Sequence, residues 1–206
     1  MRSPLVAIVA VLALVAVAVP LTAQDFQEPK SKVAFAIDNG DLVLLGTGLR
    51  VKKIIFSFKA YAVGFYVEKA AVAGPLAPFK GKPASDELRT VLQTGDFEKE
   101  LVLHFLRNLK AEKIQGAMRE ALEEGTDPKV LEQFISYFPE VKDGERCTFR
   151  WVAGGTVETV MAGAEKPAIT DQAFAEKLFG LYVGPDPLQD DFKPGFVARA
   201  AQVLAE

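Results

Sequence analysis

The chain predicts an α+β fold, an antiparallel sheet with helices on one face, and the order of its elements carries that prediction. β-branched and aromatic stretches fill residues 33–67, whereas helical periodicities crowd into 111–138. Strand-like patterning recurs at 146–162 before a last helical region. A doubly wound nucleotide-binding fold, with strands and helices alternating, does not produce that segregation.

The first residues stand apart from the fold. Arg2 precedes an aliphatic run from Leu5 to Val19, closed by Pro20-Leu21-Thr22-Ala23 with the small residue a signal peptidase prefers. The run falls short of the roughly 18 to 20 apolar residues a bilayer span needs. Residues 1–23 therefore read as a secretory signal cleaved near Ala23, and the mature protein as exported, periplasmic or secreted, with no stable membrane span. Taking 23 residues from 206 leaves 183, enough for one sizeable core: a polar linker at 24–32, then a single domain at 33–206. Without Arg2 the balance is 23 basic against 27 acidic residues, a net −4, with no basic patch beyond Lys52-Lys53. Nucleic acid is not an expected partner. Cys147 is the only thiol, which excludes an internal disulfide and a cysteine-based metal site; its alternating neighbours Phe149 and Trp151 place it in the core.

Within the domain, Val33 to Ile37 reads as a strand, Asp38-Asn39-Gly40-Asp41 as a tight turn, and Leu42 to Leu45 as the returning strand. The stretch Leu45 to Lys69 then organises the chain. Gly46-Thr47-Gly48 reads as a tight glycine turn that delivers Arg50 onto an apolar run, Ile54, Ile55, Phe56 and Phe58. A second run from Tyr61 to Val67 pairs with it, the two joined near Ser57 to Lys59. Gly74 to Asp86 is a loop, Glu87 to Thr94 a weak strand or a helical turn, and Leu101 to Leu106 an interior strand.

Helices follow. Ala111 to Glu124 puts Ile114, Ala117, Met118, Ala121 and Leu122 on one face and stops at Gly125. Asp127-Pro128 opens the next, with Val130, Leu131, Phe134, Ile135 and Phe138 along one side until Pro139. Arg146 to Val152 and Val157 to Ala162 form a hairpin, Asp171 to Tyr182 a helix ended by Gly184-Pro185, and Asp186 to Asp191 a capped turn into a last helix, Pro194 to Leu204.

Most catalytic signatures are missing. With His104 the sole histidine there is no histidine triad and no His-x-x-x-His zinc pair; neither a Gly-x-Ser-x-Gly elbow nor a phosphate loop occurs. No resident cofactor or metal is expected. What remains is an apolar sheet, one arginine and the hydroxyls of Tyr61 and Tyr66, parts that suit a cleft holding a long apolar molecule by one polar end. Arg50 can grip a carboxylate through two parallel charge-assisted hydrogen bonds, with Tyr61 donating a third. The competing reading makes the stretch the central pair of a buried sheet, with Arg50 paired to an acid.

Gly46-Thr-Gly-Leu-Arg50, Tyr61-Ala-Val-Gly-Phe-Tyr-Val67, Leu103-His-Phe-Leu-Arg107 with Ala111-Glu-Lys-Ile114, and Phe179-Gly-Leu-Tyr-Val-Gly-Pro-Asp-Pro187 with Lys193 run in order over nearly the whole mature chain. In this the chain resembles the chalcone isomerase-like family, in particular its exported bacterial members. The resemblance implies an open-faced β-sandwich, a long antiparallel sheet with a helical layer on one side and the ligand cleft between. In the family the arginine matching Arg50 lies in that cleft. Plant enzymes use it to bind a flavonoid substrate and close a phenolic oxygen onto an enone; plastid relatives use it with a tyrosine to hold a fatty-acid carboxylate; some fungal mitochondrial members bind haem. Tyr61 stands where the enzymes place threonine, as in the fatty-acid-binding branch; Lys110 stands at the catalytic-site tyrosine and Ala117 near the asparagine. The resemblance thus implies a binding protein for a fatty acid or similar small amphiphile, with Arg50 and Tyr61 at its polar end and Tyr66, Phe105, Lys110 and Ile114 lining the cleft. An isomerase acting on a phenolic enone, and a haem binder using His104, are the alternatives.

Overall fold

The computed structural model describes residues 25–53 and 57–205; the expected signal sequence with its expected cleavage point, and Ile54, Ile55 and Phe56, lie outside the described residues. Among the described residues no helix is long and apolar enough to cross a membrane.

The core of the architecture is a seven-stranded antiparallel meander in the order β3-β4-β5-β6-β7-β8-β9. Its strands are β3 (Asp38–Asn39), β4 (Leu42–Lys53), β5 (Ser57–Glu68), β6 (Lys99–Phe105), β7 (Arg146–Val152), β8 (Thr156–Met161) and β9 (Ala164–Thr170). One face carries the helices: α2 (Asp86–Thr94), α3 (Ala111–Leu122), α4 (Pro128–Ile135) and α5 (Gln172–Val183), with the short α1 (Lys69–Ala73), α6 (Phe192–Gly195) and α7 (Ala200–Val203). The aromatic centre of that layer packs edge to face, Phe134 lying 5.0 Å from both Phe138 and Phe174 between ring centroids. The other face of β4 and β5 is covered by a ribbon of β1 (Asp25–Gln27) and β2 (Ala34–Ala36), which seals Phe35 against Leu42, Leu44, Leu49, Ala62 and Tyr66.

Several elements depart from the expectations above. Residues 24–32 are not wholly a linker, because Asp25–Gln27 pairs with Ala34–Ala36; the hairpin across Asn39-Gly40 is made instead by Asp38–Asn39 with Leu42 and Val43. Residues 86–94 are a helix, fixed by Ser85, whose Oγ accepts from Leu88 N at 3.3 Å, and by the acids Asp86 and Glu87 in the first turn. The last helix is broken into α6 and α7. Asp191 is spent on Lys30 Nζ, 2.9 Å away, and makes no side-chain cap. Strand β9 escaped notice because six of its seven residues lack burial and only Ile169 is buried, with Pro167 blunting the outer edge.

The glycine stretch differs most. Gly46 and Gly48 lie inside a continuous β4, neither with a positive φ, and Ser57 to Lys59 already belong to β5. The glycines serve close approach. A Cβ on Gly46 would run into the backbone of Gly195 and Phe196, and one on Gly195 into Thr47 O. On Gly48 it would meet the Phe196 and Phe192 rings at 2.8 and 2.9 Å. The chain at α6 therefore lies backbone against backbone on β4, which no side chain permits.

Lys99 is a second unforeseen feature. It is fully buried, and its ammonium donates to the carbonyls of Leu92, Gln93 and Gly95 at 2.9, 3.2 and 2.8 Å, closing the C-terminal end of α2. The nitrogen also sits 3.8 Å from the centroid of Trp151. Burial pulls its pKa down to about 7.

Glycine substitutions separate close approach from mere flexibility. Gly46→Ala is expected to cost about 3 kcal/mol in urea denaturation, since backbone and not a movable side chain stands in the way. Gly116→Ala, inside α3 with open space around it, is expected to stabilise by about 0.5 to 1 kcal/mol. Equal effects at the two positions would contradict this account.

Candidate functional site

A register shift aims the site. Before the shift at Leu44/Gly46, odd-numbered residues of β4 face the helices, as Val43 and Leu45 do. After it the even-numbered residues do, so Arg50 stands directly across from Tyr61 of β5 on the helical side, while Leu49 joins the outer cluster. Tyr61 is in turn the cross-strand partner of Phe105 on β6, their rings 5.8 Å apart and edge to face. A second shift at Arg50/Val51 then pairs Lys52 with Phe58.

This row opens into a cavity of about 380 Å³ between β4, β5 and β6 on one side and α3 on the other. The volume falls among small-molecule sites. Of the residues named from sequence, Arg50, Tyr61, Phe105, Lys110 and Ile114 line it together. Tyr66 does not; it points to the opposite face, 3% exposed beneath the β1–β2 ribbon. His104 is likewise on that outer side, opposite Ala62, where its Nδ1 accepts from Arg146 Nε at 3.4 Å. Burial and then Arg146 lower its pKa. A haem held by His104 would therefore sit across the sheet from this cavity.

Arg50 has no acid partner among the described ion pairs. Its Nη1 donates to Leu188 O at 3.0 Å and to Gln189 Oε1 at 3.3 Å. The Gln189 amide also accepts from Val51 N at 3.0 Å and donates to Leu49 O at 2.7 Å, taking the place of a neighbouring strand beside β4. Both partners of Arg50 are neutral, so the guanidinium is placed without its charge being cancelled.

The hydroxyl of Tyr61, a buried residue, lies 3.4 Å from the hydroxyl of fully buried Tyr182 on α5. Burial raises the pKa of both phenols, Tyr182 the more, while Arg50 works against the shift in each. Both hydroxyls therefore carry their protons at neutral pH, and a Tyr61 O–H is available to an acceptor in the cavity. Sequence reasoning placed Tyr182 at the end of a helix and overlooked Leu188 and Gln189. No local pattern links residue 189 to residue 50, because the connection is made by the close approach of α6.

The fold and the cleft define an α+β protein with one apolar cavity under a helix and an arginine–tyrosine pair set across adjacent strands. The chain belongs to the chalcone isomerase-like family, whose model matches residues 23–197. Among solved structures it is similar to the crystal structure of a fatty-acid binding protein of Arabidopsis thaliana, with a TM-score of 0.77 at 18% identity, covering 89% of this chain and 100% of that one. At that identity the likeness is one of fold. No curated protein matches the chain.

Gln189 joins three groups of β4 at once, and Gln189→Ala is expected to lower stability by about 2 kcal/mol through the orphaned Leu49 carbonyl and Val51 amide. Chemical denaturation measures it. A loss below about 0.5 kcal/mol, the range of an ordinary surface change, would mean water replaces the amide fully.

Proposed function

We propose that this protein binds a fatty acid or a similar amphiphilic carboxylate, its head on Arg50 and Tyr61 and its chain along the apolar face of α3. The observation that carries the reading is the cross-strand placement of a guanidinium held only by neutral acceptors beside a protonated phenol, both facing one apolar cavity. A carboxylate is the group that matches this pair, with two acceptor oxygens for the guanidinium and lone pairs left for the hydroxyl. The apolar walls, Leu103, Phe105, Ile114 and Met118 among them, suit an alkyl chain. The fatty-acid binding of the Arabidopsis protein of the same fold supports the reading.

A reaction on a phenolic enone is the second reading, favoured only by the family's name. Tyr61 is the one hydroxyl among the side chains lining the cavity, and no carboxylate or imidazole joins it there among the described residues, so the wall offers a grip more readily than a proton-transfer pair.

Dodecanoate is expected to bind the mature chain, with Arg50→Ala weakening it at least thirtyfold, about 2 kcal/mol, and Tyr61→Phe roughly fivefold, about 1 kcal/mol, by calorimetric titration. Unchanged affinity in Arg50→Ala would overturn the assignment, and acceleration of chalcone cyclisation over buffer would favour the enzymatic reading. We further infer export of the protein from the leader at residues 1–23. Amino-terminal sequencing of protein from its native cells is expected to begin at Gln24; an intact leader would overturn export by cleavage.

A further inference from the structure

One end of the cavity carries more positive charge than a single carboxylate needs. Besides Arg50, the lining includes Lys52, Arg107, Lys110 and Lys113, and not one acidic residue. None of these four takes part in an ion pair among the described residues, although the whole chain carries a net charge of −3. Glu112, between the two lysines on α3, is not among the lining residues.

The positions of these cations are ordered. Register places Lys52 and Phe58 one step beyond Arg50 and Tyr61 along the β4–β5 ribbon. Arg107 lies over the Phe58 ring with its guanidinium carbon 4.3 Å from the centroid, a contact that holds an exposed side chain beside the opening. Lys110 and Lys113 stand at the start of α3, whereas its later lining residues Ala117, Met118 and Ala121 are apolar. Charge is thus gathered at the end where the β4–β5 ribbon and the β6–α3 turn meet, and the far end is left for a hydrocarbon tail. Low-dielectric walls focus such a field into the cleft.

We propose that the head group of the ligand carries two negative charges, as a phosphate monoester does, and is held by Arg50 together with the collar of Lys52, Arg107, Lys110 and Lys113. The inference rests on the reading of this cavity as a site for an anionic amphiphile and changes the head group from a carboxylate to a dianion. A monocarboxylate is matched by Arg50 and Tyr61 and leaves the collar unanswered, whereas a phosphate monoester offers three acceptor oxygens and a second charge near neutrality.

Calorimetric titration of the mature chain with dodecyl phosphate, dodecanoate and inorganic phosphate, below micellar concentrations, tests the assignment. Dodecyl phosphate is expected to bind at least tenfold more tightly than dodecanoate, and the double variant Arg107→Gln, Lys113→Gln to remove most of that advantage while leaving dodecanoate within threefold. Both side chains are exposed, and circular dichroism melting checks that the variant folds as the parent does. Equal affinity for the two amphiphiles overturns the dianion and leaves the carboxylate reading standing; binding of neither overturns both. Inorganic phosphate binding as tightly as dodecyl phosphate also overturns it, since the tail would then contribute nothing. A variant that weakens both amphiphiles equally reduces the collar to unspecific attraction and overturns it too.

Discussion

The backbone crossing of Gly195 over Gly46 is the contact on which the rest depends. It brings the C-terminal segment directly onto β4, a strand otherwise met on that side by β3, opposite Leu42 and Val43, and by Ile37 O, which accepts from Leu44 N. The open edge beyond would offer a row of unpaired carbonyls and amides, which folded proteins cover or disrupt. Here the segment meets four of its backbone groups. Arg199 donates its backbone N–H to Leu45 O and its guanidinium to Leu44 O, and Gln189 takes Leu49 O and Val51 N. Two large aromatics, Phe192 and Phe196, fill the space beside Gly48, the first stacked on Tyr182 and the second edge to face with Phe65.

That covering and the cavity are one construction. The irregularity at Leu44/Gly46 that accommodates the crossing also reverses which side of β4 faces inward. Had the register continued unbroken, Leu49 and Val51 would face the helices and Arg50 the outer face. The inserted residue is therefore what changes Arg50 from a surface cation into a cavity group, a use of β-bulges that re-aims a side chain without altering the sheet. The same segment then supplies Leu188 as part of the cavity wall and Gln189 as the arginine's support.

Much of this was legible in the sequence because it depends on local periodicity. The helical faces of α3 and α4, the cap at Asp127, the hairpin of β7 and β8 and the strand pair of β4 and β5 each follow from neighbours in the chain. Arg50 stood out as a charge on an apolar run, and Tyr61 as its hydroxyl. What escaped was set by tertiary contact. Gly46 and Gly48 were read as a turn because glycine signals bending and close approach with the same letter. Tyr66 was placed in the cleft on its residue type alone, yet it sits an odd number of residues from Tyr61 within one unbroken strand, so the two must face opposite sides. That error was avoidable from spacing. The role of Gln189 was not, since its partners lie 138 to 140 residues away.

The choice of partners for Arg50 decides what the cavity can hold. A buried arginine matched to an aspartate or glutamate would be well placed but electrostatically spent, and a second anion would have to compete for it at the cost of stranding the first. Carbonyl and amide acceptors fix the guanidinium by one nitrogen while leaving its charge and its remaining donors unclaimed. The phenol of Tyr61 follows the same logic, since burial keeps it a neutral donor against the opposing pull of Tyr182 and Arg50. Both groups are thus prepared for an anion by supports that are not anions themselves. The arrangement is the one the proposed anionic ligand would need, and the apolar wall beyond Ile114 would suit the hydrocarbon remainder of such a ligand.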